Sequence, residues 1–271
     1  MTYSQDDADK LVEIVTKHPD DIKKWFKLGK IYHSLNQLDN AEIAYTQCVK
    51  IEKENPIALG NLGMICLEKG DLKKAIKILE KSLKIDPSRE KFWTGLGIAY
   101  LQRNKYKDAI EALEQSLAIN PKERDAMVTL ARVHSHLESW EVALDWLQQA
   151  EKLYPNDYEI LKGKARSLMK LGRSSELEEI YHKMRKIDPK DHSTLLYLGQ
   201  IEIKKGNTIE GIELYKQAVE MEPESFMAWK VLIEAYEQIG MKEEARDARE
   251  KFKIVQDKLR KAGTRIIPKF W

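Results

Sequence analysis

Residues Glu90–Pro121 read EKFWTGLGIAYLQRNKYKDAIEALEQSLAINP, and the last of them belongs to a regular series of prolines. Other prolines stand 34 residues before its last residue and 34, 68 and 102 residues after it, with no insertion or deletion between them. The prolines that keep this interval are Pro87, Pro121, Pro155, Pro189 and Pro223. A fixed interval of this length indicates an array of one repeated unit.

Each unit is predicted to be a hairpin of two helices. In Glu90–Pro121, residues spaced three, one and three positions apart lie on one stripe of the first helix. Ala109 supplies a small residue on the second helix. The stripe residues are Trp93, Leu96, Gly97 and Tyr100. Turn signals separate the two helices at Gly70, Asn104, Gly172, Gly206 and Gly240. The residue before each proline is forced out of helical geometry, so the second helix is expected to end there.

The pattern resembles the tetratricopeptide repeat, W-x2-L-G-x2-Y…A-x3-F…P, with Leu113 in place of the aromatic. The resemblance covers roughly residues 6–262. It implies an all-α fold, a right-handed superhelical solenoid of antiparallel helix pairs, with the first helix of each pair lining a concave groove. We expect three segments: an N-terminal capping helix (half repeat) at 1–21, seven 34-residue units with an extended last helix at 22–262, and a hydrophobic C-terminal tail at 263–271.

Composition favours a protein partner. The 271 residues are 42% hydrophobic and 33% charged with a net charge of +2, which argues against the basic excess typical of nucleic-acid binding. The acidic N-terminus differs from a signal peptide, and no apolar run is long enough to span a membrane. Cys48 and Cys66 form neither a disulfide framework nor a zinc pattern, and we expect both to be buried. A cytoplasmic location is predicted.

No catalytic, cofactor or metal site is predicted, and the protein is not expected to be an enzyme. Phosphate-binding loops, nucleophile elbows and H-E-x-x-H are missing from the sequence. His134 and His136 come nearest to a metal pair, but residues two apart point to different sides of a helix.

The residues expected to face a bound peptide lie on the first helices. The groove floor should be apolar in units two and three, where Leu67, Thr94 and Leu101 belong to it, basic in units four and five, and apolar again beyond. The candidate peptide-binding residues are Lys30, Asn61, Met64, Lys91, Ile98, Arg132, Lys162, Arg166, Lys170, Tyr197 and Gln200.

The predicted function is a non-enzymatic scaffold that binds an extended or helical peptide, with acidic side chains or a terminal carboxylate of the ligand held by Arg132, Lys162 and Arg166. In some members of the family, lysines, asparagines and an arginine clamp a C-terminal carboxylate. Asn61 and Lys91 match that set, whereas Phe26, Lys30 and Gly95 break it.

Several alternatives stay open. The chain could be a substrate-recruiting or co-chaperone subunit of an enzyme complex. It could also dock its own tail, or a neighbour's in a homo-oligomer, through Ile266, Ile267, Phe270 and Trp271, or leave that tail disordered. A nucleic-acid-associated repeat is disfavoured by the near-neutral charge.

Departures from the repeat concentrate in units five and six. Lys164 stands at a leucine position, Leu177 at a small-residue position, and Glu202 at an aromatic position. A buried charge must find a partner and a bulky leucine should separate two helices, so looser packing is predicted there.

Overall fold

The computed structural model of the protein describes residues 3–261, and all regular secondary structure in that range is α-helical. The helices are α1 Gln5–Lys17, α2 Ile22–Ser34, α3 Leu38–Ile51, α4 Pro56–Glu68, α5 Leu72–Ile85, α6 Glu90–Gln102, α7 Tyr106–Ile119, α8 Arg124–His136, α9 Trp140–Leu153, α10 Tyr158–Leu171, α11 Ser174–Ile187, α12 His192–Lys204, α13 Thr208–Met221, α14 Phe226–Gln238 and α15 Lys242–Lys261. The all-α repeat array is thus confirmed, and α15 has 20 residues where the others have 13 or 14. The division into a capping helix, seven units and a tail stays a prediction.

The turn inside each pair contains one residue in the left-handed region. These residues recur every 34 positions: Asn36, Gly70, Asn104, Glu138, Gly172, Gly206 and Gly240, with φ between 57° and 87°. Glycine and asparagine tolerate this conformation, which explains the turn signals in the sequence. Glu138 was not predicted as a turn residue, because glutamate is not typical of turns. Only its place in the 34-residue interval matches the other turns.

Replacing Glu138 by glycine is expected to stabilise the protein by about 0.5–1 kcal/mol, because glycine removes the steric cost of φ 57°. The measurement is the urea midpoint. Glu141→Gly is a matched control within helix α9, where the same change should destabilise by roughly 1 kcal/mol. A lower midpoint for Glu138→Gly would contradict the expectation.

The end of each pair is set by proline and, at three places, by tryptophan. Asp86 before Pro87 and Asn120 before Pro121 have extended ψ values of 98° and 95°, as predicted for residues that precede proline. The indole Nε1 of Trp93 donates to the Pro87 carbonyl at 2.8 Å, and the equivalent bonds are Trp25 to Pro19 and Trp229 to Pro223. Trp25 and Trp93 are half-buried and pack against the core, while Trp229 is buried, so each of these tryptophans ties the start of its helix to the preceding turn.

The chain divides into two compact units, residues 1–155 and residues 156–271, of which the structure describes 3–155 and 156–261. In the first unit, α1 covers α2 through Ala8, Leu11 and Val15, and three consecutive apolar clusters run from α1 to α9. In the second unit, α12 packs on α13 and α14 packs on both α13 and α15. The repeat interval passes through the division at residue 155 unchanged, so the sequence did not predict it.

The departures in the second unit are accommodated in different ways. Lys164 and Glu202 are both buried, and Glu202 accepts a hydrogen bond from Asn207 Nδ2 at 2.7 Å. Helices α12 and α13 approach closely, because a Cβ added to Gly211 would lie 2.8 Å from the Gly199 carbonyl oxygen. The predicted loosening is therefore wrong for this pair, where glycines on both helices allow tight packing.

Candidate functional site

In the first unit the first helices of successive pairs touch one another. Helix α4 contacts α6, and α6 contacts α8, so their exposed side chains form one surface, which we call the first-helix face. Two glycines make the α4–α6 approach close. A Cβ at Gly60 would lie 2.1 Å from the Phe92 ring, and a Cβ at Gly95 would lie 2.3 Å from the Met64 sulfur. Each helix thus inserts a large side chain into a glycine gap of the other.

This packing corrects the predicted apolar floor. Leu67, Thr94 and Leu101 are buried, and the Thr94 hydroxyl bonds to that of Ser116 at 2.8 Å. Met64 and Ile98 are half-buried against the same core and keep only part of their surface for a ligand. The floor residues are mostly occupied by helix-to-helix contacts, because neighbouring first helices approach more closely than the periodic pattern alone specifies.

The polar candidates of the first unit are partly engaged within the chain. Asn61 donates through Nδ2 to the Ile57 carbonyl at 2.7 Å, and Lys30 Nζ lies 5.1 Å from the centroid of the Phe26 ring. Lys91 is exposed and lowers the pKa of Glu123, although burial raises that pKa overall. Arg132 on α8 is exposed, and no carboxylate of residues 3–261 forms an ion pair with it.

In the second unit, helix α10 presents a basic row. Lys162 and Arg166, one turn apart, are exposed and have no ion-pair partner within the described part of the chain. Lys170, a further turn along, is exposed as well. Lys162 and Arg166 differ in this from other cationic groups of the protein, such as Lys205, which is paired with Glu178. Unpaired cations at this spacing can bind carboxylates of a partner.

Helix α12 adds an aromatic and an amide to the second unit. Tyr197 stacks on Tyr181 of α11, with ring centroids 4.3 Å apart and an interplanar angle of 15°. Burial raises the pKa of Tyr197, so its hydroxyl stays neutral at physiological pH. Gln200, one turn on, is exposed. The stacking on Tyr181 fixes the orientation of the Tyr197 ring, and no pattern in the sequence indicated this partner.

Sequence reasoning also missed side-chain links between helices. His33 Nε2 lies 2.9 Å from a carboxylate oxygen of Glu68, which joins α2 to α4. Within the pairs α4–α5 and α6–α7, the hydroxyls of Ser82 and Ser116 donate to the carbonyls of Pro56 and Glu90 at 2.6 and 3.0 Å. The serine bonds recur at the repeat interval and could have been found by comparing polar residues at equivalent positions.

The residues considered for metal or redox chemistry lie apart. His134 is half-buried and its pKa is lowered chiefly by burial, whereas His136 is exposed and stacks on Tyr106 at 5.8 Å. Both cysteines are free and buried, as predicted, and burial raises the pKa of Cys48 to about 12. Residues 3–261 contain no group of three or more potential metal ligands.

Two further predictions concern membrane spans and the C-terminal tail, and the structure bears on them only within its described residues. No helix within residues 3–261 is both long and apolar enough to cross a bilayer. The tail residues proposed as a self-ligand, Ile266, Ile267, Phe270 and Trp271, lie outside the described residues.

Comparison with known proteins gives two family matches. The family model described as "Cilia and flagella-associated protein 70 C-terminal domain" matches residues 5–222, and that described as "Tetratricopeptide repeat" matches residues 196–251. No curated protein matches the sequence.

Several solved structures share the fold at low sequence identity. YrrB, described as a tetratricopeptide-repeat protein with an unusual peptide-binding site, is 24% identical with a TM-score of 0.58, over 69% of this chain and 97% of that one. PilF of Pseudomonas aeruginosa is 15% identical with a TM-score of 0.69, over 79% and 97% of the two chains. The Cut9–Hcn1 hetero-tetramer of APC/C is 16% identical with a TM-score of 0.63, over 84% and 46%. At these identities the likeness concerns the fold alone.

Proposed function

We propose that this chain, a member of the tetratricopeptide-repeat family of the cilia and flagella-associated protein 70 C-terminal domain, binds an extended or helical peptide of a partner protein on its first helices. Folds of this family are typically non-enzymatic interaction scaffolds. The proposed ligand carries acidic residues flanked by aliphatic or aromatic ones. The two free, buried thiols support a reducing, cytoplasmic setting.

One observation carries the acidic preference. Arg132 in the first unit, and Lys162 and Arg166 in the second, are exposed on first helices and lack a carboxylate partner among residues 3–261. Arginine can hold a carboxylate with two parallel hydrogen bonds, which makes such pairs stronger than neutral hydrogen bonds. Each unit therefore offers cationic groups to a ligand without first breaking an internal ion pair.

Apolar contacts would come from different residues in each unit. In the first unit Met64 and Ile98 keep part of their surface exposed, and Lys30, Asn61 and Lys91 are the polar candidates. In the second unit the stacked ring of Tyr197 offers a flat apolar surface, with Gln200 and Lys170 as polar candidates. Aromatic rings held by a neighbour bind at low entropic cost, since little side-chain freedom remains to be lost.

Replacing both Arg132 and Arg166 by glutamate is expected to weaken binding of an acidic peptide about tenfold or more and to flatten its salt dependence, because attraction becomes repulsion. The probe is a labelled peptide that alternates glutamate with leucine or phenylalanine, titrated by fluorescence anisotropy at several salt concentrations. Circular dichroism of each variant reports on folding.

The matched control replaces Lys77 and Lys107, exposed lysines on the second helices α5 and α7, by glutamate. It changes the net charge equally, and binding should fall much less. Equal losses in both variants would reduce the effect to net charge, and unchanged affinity for Arg132→Glu/Arg166→Glu would remove the electrostatic part of the proposal.

A further inference from the structure

Three equivalent residues, which we call the anchor row, lie on the first-helix face of the first unit. Met64 of α4, Ile98 of α6 and Arg132 of α8 follow one another at the repeat interval, so each occupies the same place on its helix. Met64 and Ile98 are half-buried against the core, whereas Arg132 is exposed and has no carboxylate partner among residues 3–261. The anchor row therefore presents two apolar side chains followed by one cation.

Buried neighbours restrict each of these helices to one point of contact along the row. One turn before the anchor residues, the equivalent positions are all buried, at Gly60, Thr94 and Val128. Three positions after the two apolar anchor residues, Leu67 and Leu101 are buried as well. A peptide that crosses the three helices is therefore expected to place one side chain on each helix, at the spacing of the helices themselves.

That spacing selects a backbone conformation for the peptide. Helices α4 and α6, and likewise α6 and α8, contain residues whose Cα atoms lie within 8 Å of one another. The axes of helices in such contact are about 8–10 Å apart. In a polyproline II segment every third side chain points to the same side, about 9 Å further along. Side chains on one face of a β-strand are only about 7 Å apart, and an α-helix needs seven residues for a step of about 10.5 Å.

The order of two apolar residues and one cation is found only between α4 and α8. In the second unit the equivalent residues are Arg166, Gln200 and Glu234, all exposed and none of them apolar. At the same place on α2, Lys30 already lies over the Phe26 ring, with Nζ 5.1 Å from the ring centroid. A ligand that requires two adjacent apolar contacts and a free cation is therefore expected to bind at the anchor row.

We propose that the anchor row binds a partner segment in the polyproline II conformation that carries two aliphatic residues and one acidic residue, each three positions from the next. The proposal rests on the proposed function and narrows its ligand from an extended or helical peptide to one conformation and one spacing. The aliphatic side chains contact Met64 and Ile98, and the carboxylate accepts two parallel hydrogen bonds from Arg132. A polyproline II segment is largely ordered before it binds, so little conformational freedom is lost.

Labelled peptides of equal composition test the spacing against the full chain by fluorescence anisotropy. Each has two leucines and one glutamate in that order or the reverse, separated by prolines and serines so that these residues lie two, three or four positions apart. The three-residue spacing should bind about tenfold more tightly, because any other spacing withdraws a leucine from its contact. Equal affinities at all spacings, or tighter binding of a helical peptide with a seven-residue spacing, would overturn the proposal.

The same titrations separate this proposal from the proposed function. If all spacings bind equally and Arg132→Glu/Arg166→Glu weakens them all, the acidic preference stands and only the spacing fails. If no peptide binds, including the one that alternates glutamate with leucine, both proposals fail.

A change of specificity at the middle of the row tests which ligand residue meets Ile98. The natural chain should prefer leucine to glutamate at the middle one of the three ligand positions. Ile98→Lys should reverse this preference, with a change of about tenfold in the ratio of affinities, because the lysine attracts the added carboxylate. Binding of the glutamate peptide by the variant also shows that it is folded.

Ile119→Lys is the matched control, since Ile119 ends the second helix α7 and is 41% exposed. It adds the same charge and should retain the preference for leucine. A preference that stays unchanged in Ile98→Lys, or that reverses equally in Ile119→Lys, would overturn the assignment of the middle ligand position to Ile98.

Discussion

Replacement of Gly60 by valine is expected to destabilise the first unit by about 1–3 kcal/mol, because the site is already full. A Cβ at this position would lie 2.1 Å from the Phe92 ring, and the ring is itself buried in the core formed by α3–α7. The valine must therefore displace α6 from α4 or force the ring out of its rotamer. Urea unfolding of the full chain gives the magnitude, and amide hydrogen exchange of α4 and α6 locates it.

Phe92→Ala provides the background that isolates the clash. Truncating the ring is itself destabilising by about 3–5 kcal/mol, but it leaves room for the valine. In that background Gly60→Val should cost much less than in the natural chain, and the difference measures the coupling of the two residues. Equal costs in both backgrounds would mean that the ring is not what excludes a side chain at Gly60.

Leu79→Ala is expected to destabilise the first unit by about 2–5 kcal/mol through loss of buried surface and the cavity left behind. Leu79 is fully buried on α5 and fills the space beside two glycines of different first helices. A Cβ at Gly63 of α4 would lie 2.7 Å from the Leu79 side chain, and a Cβ at Gly95 of α6 would lie 3.7 Å from it. Removing it therefore weakens its own helix pair and the contact with the next one.

Ile85→Ala is the matched control, since Ile85 ends the same helix and is 42% exposed. Its loss should cost well under 1 kcal/mol by comparison, within the range usual for surface positions. Urea midpoints compare the two variants. A cost for Leu79→Ala no larger than that of the control would contradict the central place assigned to Leu79.

The most successful predictions concerned a single repeat of two helices. The interval between Pro87 and Pro121, together with turn glycines such as Gly70, predicted where helices begin and end. These features act locally, through the restriction that proline imposes on the preceding residue and the left-handed conformation that glycine permits. Buried Cys48 and Cys66 followed in the same way from their positions on a repeated helical stripe.

Predictions that depend on two neighbouring repeats were less successful. Leu67 and Leu101 carry the pattern of groove residues, yet both are buried. Whether such a side chain faces a ligand or a neighbouring helix depends on how closely the next first helix approaches. That distance is set by glycines and large residues in different repeats, such as Gly60 and Phe92. A one-dimensional period does not contain this information.

The helical hairpin, its length and its turns could therefore be predicted from the sequence, because proline, glycine and the apolar stripe act within one repeat. Which residues of the first helices remain exposed is known only from the tertiary structure, since their burial depends on contacts between successive repeats. The tertiary structure left Arg132, Lys162 and Arg166 exposed and buried much of the expected apolar floor.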